Sequence, residues 1–211
     1  MATGGGRGGS RTDPGAEAST KMASDTLFER LGYCSSSMDG PDARSIALAL
    51  IRAREDLAKV RADGMVEAYP DPKRGWAVPT IGWGSTGPHI QRDTVWTRAQ
   101  CDQDLETRLD PILAWASGLH AELPAGAVAA LCSLAWNVGQ DHLENCDGHG
   151  DEAHVVRYVR EGNWEAAAQA FLAWDHVDGV VVDGLKIRRG IESRIFLDAF
   201  SGAQAVCEAG A

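Results

Sequence analysis

The chain lacks the marks of a membrane protein, a disulfide scaffold or a nucleic-acid binder. Its longest strongly apolar run is the six residues 46–51, where a bilayer span needs about 20. No apolar segment follows the first basic residues near the N-terminus, so neither an anchor nor a signal peptide is expected. The cysteines, at 34, 101, 132, 146 and 207, are odd in number and show no CxxC spacing. That pattern suits free thiols in a reducing compartment better than a disulfide framework. Basic residues are scarce: 20 Lys and Arg against 30 Asp and Glu leave a formal charge of −10, which offers no surface to neutralise a phosphate backbone and disfavours nucleic-acid binding. Tyrosine is rare at three, yet there are seven tryptophans, a hint of an aromatic-rich or sugar-facing interior. What is present, 211 residues that are 44% apolar and 24% charged, fits one globular domain with a sizeable core and not two.

Residues 1–25 are mostly Gly, Ser, Thr and Ala, too little apolar surface to offset ordering entropy. A disordered or poorly ordered extension over 1–38 and a single domain over 39–211 are therefore expected. Asp39-Gly40-Pro41 reads as a helix start, with a capping Asp and a Pro in the first turn. Ile46, Leu50, Ala53, Leu57 and Val60 then share one helical face up to the breaker Asp63-Gly64, predicting one long helix. Leu48 and Ile51 add a second apolar face to its first half. From 65 to 87 the pattern changes to short β-prone pieces punctuated by Pro and Gly, as in a small hairpin or meander. Thr97 can cap a helix through about 118; 127–137 reads as an Ala-rich buried helix ended by Gly139; and 152–160, 164–174 and 186–200 give three more. The sum is a mostly helical α+β chain with one small β lobe near its N-terminal side.

Three ordered stretches carry a resemblance: AYPDP followed by TIGWGSTG (68–72 and 80–87), AALCSLAWNVG (129–139), and GNWEAAAQAFLAW with GLKIRRGIESR (162–174 and 184–194). Together they resemble the phage-type lysozymes, also called endolysins or muramidases, of glycoside hydrolase family 24. The likeness implies a two-lobed lysozyme-like fold whose cleft holds alternating N-acetylmuramic acid and N-acetylglucosamine. It further implies cleavage of the β-1,4 bond between them with inversion. That chemistry needs one group to protonate the departing oxygen and a second to hold the attacking water. Matching AYPDP gives Asp71 for the family's Asp, and matching TIGWG gives Thr80 for its Thr.

The acid departs from the pattern. The family's Glu-Gly, seven residues before the Tyr, falls here on Ala62-Asp63. One reading keeps Glu55, whose preceding LIRAR resembles the family's helix end, and treats about seven following residues as an insertion; Ile51 and Leu48 would then give it an apolar setting suited to a general acid. Another keeps the helix intact and makes Asp63 the acid. A third has neither serving, in a catalytically inactive wall-binding or virion structural module.

Trp83 and Asn137 are the candidate substrate contacts: a polar Asn in so apolar a helix needs a partner, whereas Trp136 reads as core. Of Arg188 and Arg189, which match the family's paired arginines, only one is expected to be structural, with a solvated helix terminus an open alternative for the other. Ser85 stands where relatives commonly carry His, so an ion pair to that His is expected to be absent. His142, Cys146, Asp147, His149, Asp151 and His154 lack the paired spacing of a zinc site and read as a polar loop leading to a helix capped near Asp151. No metal and no cofactor are expected. The implied partner is peptidoglycan, with chitin-like polymers a minor substrate, for a monomer made in the cytoplasm of a phage-infected or prophage-carrying bacterium and acting on the wall after release.

Overall fold

The computed structural model describes residues 41–209, with 56, 147 and 149 left out. The expected tail over 1–38 lies outside the described residues. Helix α1 (Ala43–Arg52) starts one residue after Asp42, whose carboxylate accepts the Ser45 N–H at 2.7 Å. The cap is therefore Asp42, on the far side of Pro41 from the Asp39 expected, because only Asp42 stands at the right spacing to satisfy an unpaired first-turn donor. The helix buries Ile46, Ala47, Leu48, Leu50 and Ile51, and both expected apolar faces are engaged. Each of the Ile and Leu side chains contributes about 1.5–3 kcal/mol relative to exposure.

The helix expected to run to Asp63 ends at Arg52. No Pro or Gly stops it. Arg54 and Glu55 both donate to the Ile51 carbonyl, closing the last turn. The chain then turns through Lys59 at φ 57° and comes back on itself: Val60 bridges Val66, and Glu67 donates to the Lys59 carbonyl. Backbone groups in 57–67 thus find partners across a loop, and Val60, assigned to the buried face by helical spacing, is 52% exposed.

Strand β1 (Val66–Glu67) pairs antiparallel with β5 (Val95–Trp96). Between them lies a three-stranded antiparallel meander of β2 (Tyr69–Asp71), β3 (Gly75–Ile81) and β4 (Ser85–Thr86). Its register places Tyr69 opposite Thr80 and Thr80 opposite Thr86, with a bulge between Pro70 and Asp71. Helix α2 (Arg98–Gly118) begins at a full capping box between Thr97 and Gln100, as expected from Thr97.

Helix α3 (Ala125–Val138) is the centre of the helical lobe. Every residue from Gly126 to Ala135 is buried, and α1, α2 and the C-terminal helix α7 (Asp183–Ala209) all pack on it. Small side chains along α3 let three helices approach it at once. Short α4 (Gln140–Glu144) follows Gly139, then α5 (His154–Arg160) and α6 (Trp164–Phe171). Helix α5 is preceded by Ala153 with no side-chain cap, so the cap expected near Asp151 is not formed there. A two-residue turn at Asp178-Gly179 then joins β6 (His176–Val177) to β7 (Val180–Val181) ahead of α7.

Candidate functional site

The early end of α1 sets the site. Because the helix stops at Arg52, Glu55 leaves the helical path over Ile51 and Leu48 and reaches toward α7, where Arg188 Nη1 donates to its Oε1 at 3.2 Å. The apolar setting expected for Glu55 is replaced by a guanidinium partner. Its side chain keeps 32% of its surface and lines a cleft of about 770 Å³ between the lobes.

Behind Glu55 lies a buried polar network. Arg188 Nε donates to Glu192 Oε1 at 3.1 Å, and its Nη2 donates to the Ser133 carbonyl at 3.1 Å. Ser133 Oγ donates to the same Glu192 oxygen at 2.5 Å. Arg189 makes an ion pair with Glu192 Oε2 at 2.8 Å and donates through Nη2 to Asn137 Oδ1 at 3.0 Å. Arg188, Arg189 and Glu192 are all buried, which corrects the expectation that only one of the two arginines would be structural. Both lie under the cleft because Glu192 on α7 supplies one carboxylate at i+3 and i+4 to serve the two. Burial lowers Arg189 to about 10, opposed by the Glu192 charge, and the same burial pushes the Glu192 carboxyl up.

Tyr69, Asp71 and Thr80 belong to the β lobe. Burial raises the Tyr69 phenol, and the charges of Glu55 and then Asp71 push it further in the same direction, so Tyr69 senses both carboxylates. Asp71, at the bulge, accepts the N–H groups of Arg74 at 2.7 Å and Lys73 at 2.9 Å on Oδ1. Those bonds hold its carboxyl below the ordinary 3.8. Thr80 is buried on the adjacent strand and donates to the Val78 carbonyl at 3.3 Å. Asp71 and Thr80 are not among the residues lining the 770 Å³ volume. Asp63 sits apart at the exposed Asp63-Gly64 turn, paired with Arg61 at 2.9 Å and capping the Met65 N–H.

The TIGWG segment positions this wall. Gly82 has φ 60°, and a Cβ there would meet Cys101 Sγ at 3.0 Å, so the strand can turn onto α2 only with glycine. Trp83 follows, only 5% exposed, its indole donating to Asp102 Oδ1 at 2.9 Å. Ser85 donates to Asp104 Oδ1 at 3.1 Å, a neutral-donor bond where an ion pair was expected to be missing. Trp83 and Asn137 both line the cleft, and Asn137 has its partner in Arg189. Trp136, read as core, is half-buried and lines the cleft with the Arg108 guanidinium 4.4 Å above its ring. It lies at the end of α3, where the buried stripe stops at Ala135.

Sequence reasoning missed Tyr69, Thr107, Arg108, Pro111 and Gln140. Pro111 within α2 lacks the N–H that would bond the Thr107 carbonyl, leaving an acceptor without its usual donor on the cleft wall. A proline inside a helix was the available signal. Of the polar loop at 142–154, Asp147 and His149 lie outside the described residues.

The phage lysozyme family model matches residues 61–192. An endolysin of Bacillus phage B103 is 29% identical over 122 residues, which is 56% of this chain and 43% of that protein, so the chain matches under half of that relative's length. The solved endolysin from Escherichia coli O157:H7 phage FAHEc1 superposes with TM-score 0.57 at 25% identity, covering 72% of this chain and 91% of that one. The muramidase domain of SpmX from Asticaccaulis excentricus gives TM-score 0.57 at 28% identity, covering 72% and 94%. With the lysozyme-like α+β fold and more than half of its length matched, this chain belongs to the phage lysozyme family.

Proposed function

We propose that the protein is a peptidoglycan hydrolase that cleaves the β-1,4 bond between N-acetylmuramic acid and N-acetylglucosamine with inversion, Glu55 acting as the general acid. The observation that carries this reading is the position of Glu55: a carboxyl that lines the cleft and is held by a buried arginine. A proton donor must reach the glycosidic oxygen from the cleft. Asp63 sits instead at an exposed turn, paired with Arg61.

Asp71 and Thr80 would hold the attacking water on the opposite face. The two N–H bonds to Oδ1 fix the Asp71 carboxylate and keep it anionic, leaving Oδ2 to accept from the water, while the Thr80 hydroxyl on the neighbouring strand offers a second contact. Water is then the nucleophile and no covalent enzyme intermediate forms. Trp83, Trp136 and Asn137 border the sugar, with Asn137 oriented by Arg189.

Reducing-end release from purified cell walls tests the reading. Glu55→Gln should lower turnover by about 10²–10⁴-fold, because an amide cannot deliver the proton. Asp63→Asn should be mild, and Asp71→Asn and Thr80→Ala harmful. A mild Glu55→Gln beside an inactive Asp63→Asn would move the acid to the turn. No release by the wild type would favour an inactive wall-binding module.

A further inference from the structure

We infer that Arg108 is a specificity-determining residue that selects glycan bearing a carboxylate, a conclusion that rests on the glycan-binding reading of the cleft. Among the described residues that line the cleft, Arg108 is the sole Lys or Arg, in a protein of formal charge −10. Its guanidinium is fixed on three sides. Nε donates to Asp104 Oδ2 at 2.9 Å, Nη2 donates to the Trp83 carbonyl at 3.1 Å, and the plane lies 4.4 Å from the Trp136 ring centre. Asp104 is itself held by Ser85 through its other oxygen.

These contacts use two of the three nitrogens. Nη1, with two N–H donors, has no partner among the described residues, and the side chain keeps 33% of its surface at the cleft wall. An arginine already immobilised by stacking and hydrogen bonds loses little further freedom on binding a ligand. Its rigid fork matches a planar carboxylate better than it matches a sugar hydroxyl.

N-acetylmuramic acid differs from N-acetylglucosamine by its lactyl ether, which ends in a carboxylate when bare and in peptide carboxylates when substituted. Arg108 therefore distinguishes the two sugars at one subsite.

The test is binding, followed by tryptophan fluorescence and calorimetry, of three probes: peptide-bearing glycan strands, the same strands stripped of peptide to bare lactyl groups, and an N-acetylglucosamine tetramer. Arg108→Gln should lower the ratio of carboxylated to neutral glycan affinity by about 10- to 100-fold, the span of a hydrogen bond to a charged group. Arg108→Lys should restore part of it. Loss on peptide-bearing strands alone identifies a peptide carboxylate, and loss on both identifies the lactyl group. An unchanged ratio, or no binding of either carboxylated strand by the wild type, overturns the inference.

Should Arg108→Gln fail to fold, the wild type still decides. At one fixed salt concentration its affinity for carboxylated strands should exceed its affinity for the tetramer by about 10-fold or more, and equal affinities would overturn the inference. Reducing-end release by the wild type is scored separately, so a protein that binds carboxylated glycan selectively without cleaving it would sink the hydrolase reading and leave the role of Arg108 standing.

Discussion

At the scale of single residues, the cleft depends on one buried carboxylate that serves two cations. Glu192 lies between Arg188 and Arg189 with no exposed surface, and Arg188 in turn holds Glu55. Removing one member of a buried ion cluster leaves the others desolvated and uncompensated, typically at a cost of about 3–5 kcal/mol. Glu192→Gln should therefore fall near the low end, about 3 kcal/mol, in the denaturant midpoint, since the amide keeps shape and some hydrogen bonding. Arg194→Ala, which removes the exposed pair to Asp198 at 3.2 Å on the same helix, should cost less than about 0.5 kcal/mol. A similar cost for both variants would mean that the network contributes nothing beyond a surface pair.

At the scale of elements, α1 begins on a side-chain cap whose charge state matters. The Ser45 backbone N–H is the main reason the Asp42 carboxyl lies below its ordinary 3.8. A folded-state value lower than the unfolded one gives stability that is present above 3.8 and lost as pH falls through the folded value. Asp42→Ala should cost about 1 kcal/mol at neutral pH, and the gap from wild type should close as pH is taken below 3.8 in thermal melts. Much of this architecture was legible in the chain. Thr97 announced α2, the run of small residues announced α3, and the Pro and Gly of 65–87 announced the meander. The end of α1 was not legible, because Leu57 and Val60 continue its helical spacing; what diverts the chain is the pairing of Lys59 and Val60 with Val66 and Glu67, together with a distant arginine on α7. The β6–β7 hairpin could have been read: Asp178 at φ 51° and Gly179 at φ 78° occupy the positions that favour Asp-Gly in a two-residue turn. The candidates Asp71 and Thr80 came from motif matching alone, whereas Arg108 carries no local signal, because Trp83 and Trp136 converge on it from two other segments.

At the scale of the whole molecule, charge is unevenly spread: residues 119–153 hold six Asp and Glu and no Lys or Arg. An anionic wall should repel such a protein at long range, while contacts inside the cleft are short and less screened. Lytic rate on intact walls should therefore rise on going from low to moderate salt, as the screening length shrinks to about 8 Å. A steady fall from the lowest salt would show that a local basic surface governs approach. The central helix carries a further consequence. Cys132 is fully enclosed in α3, and burial pushes its thiol up to about 12. In a variant that keeps Cys132 alone, alkylating reagents can reach the sulfur only while α1, α2 and α7 have parted from α3. The modification rate then equals the rate for an open chain multiplied by the fraction of molecules open, so the thiol serves as a built-in clock for global unfolding in native buffer, with no denaturant and no extrapolation.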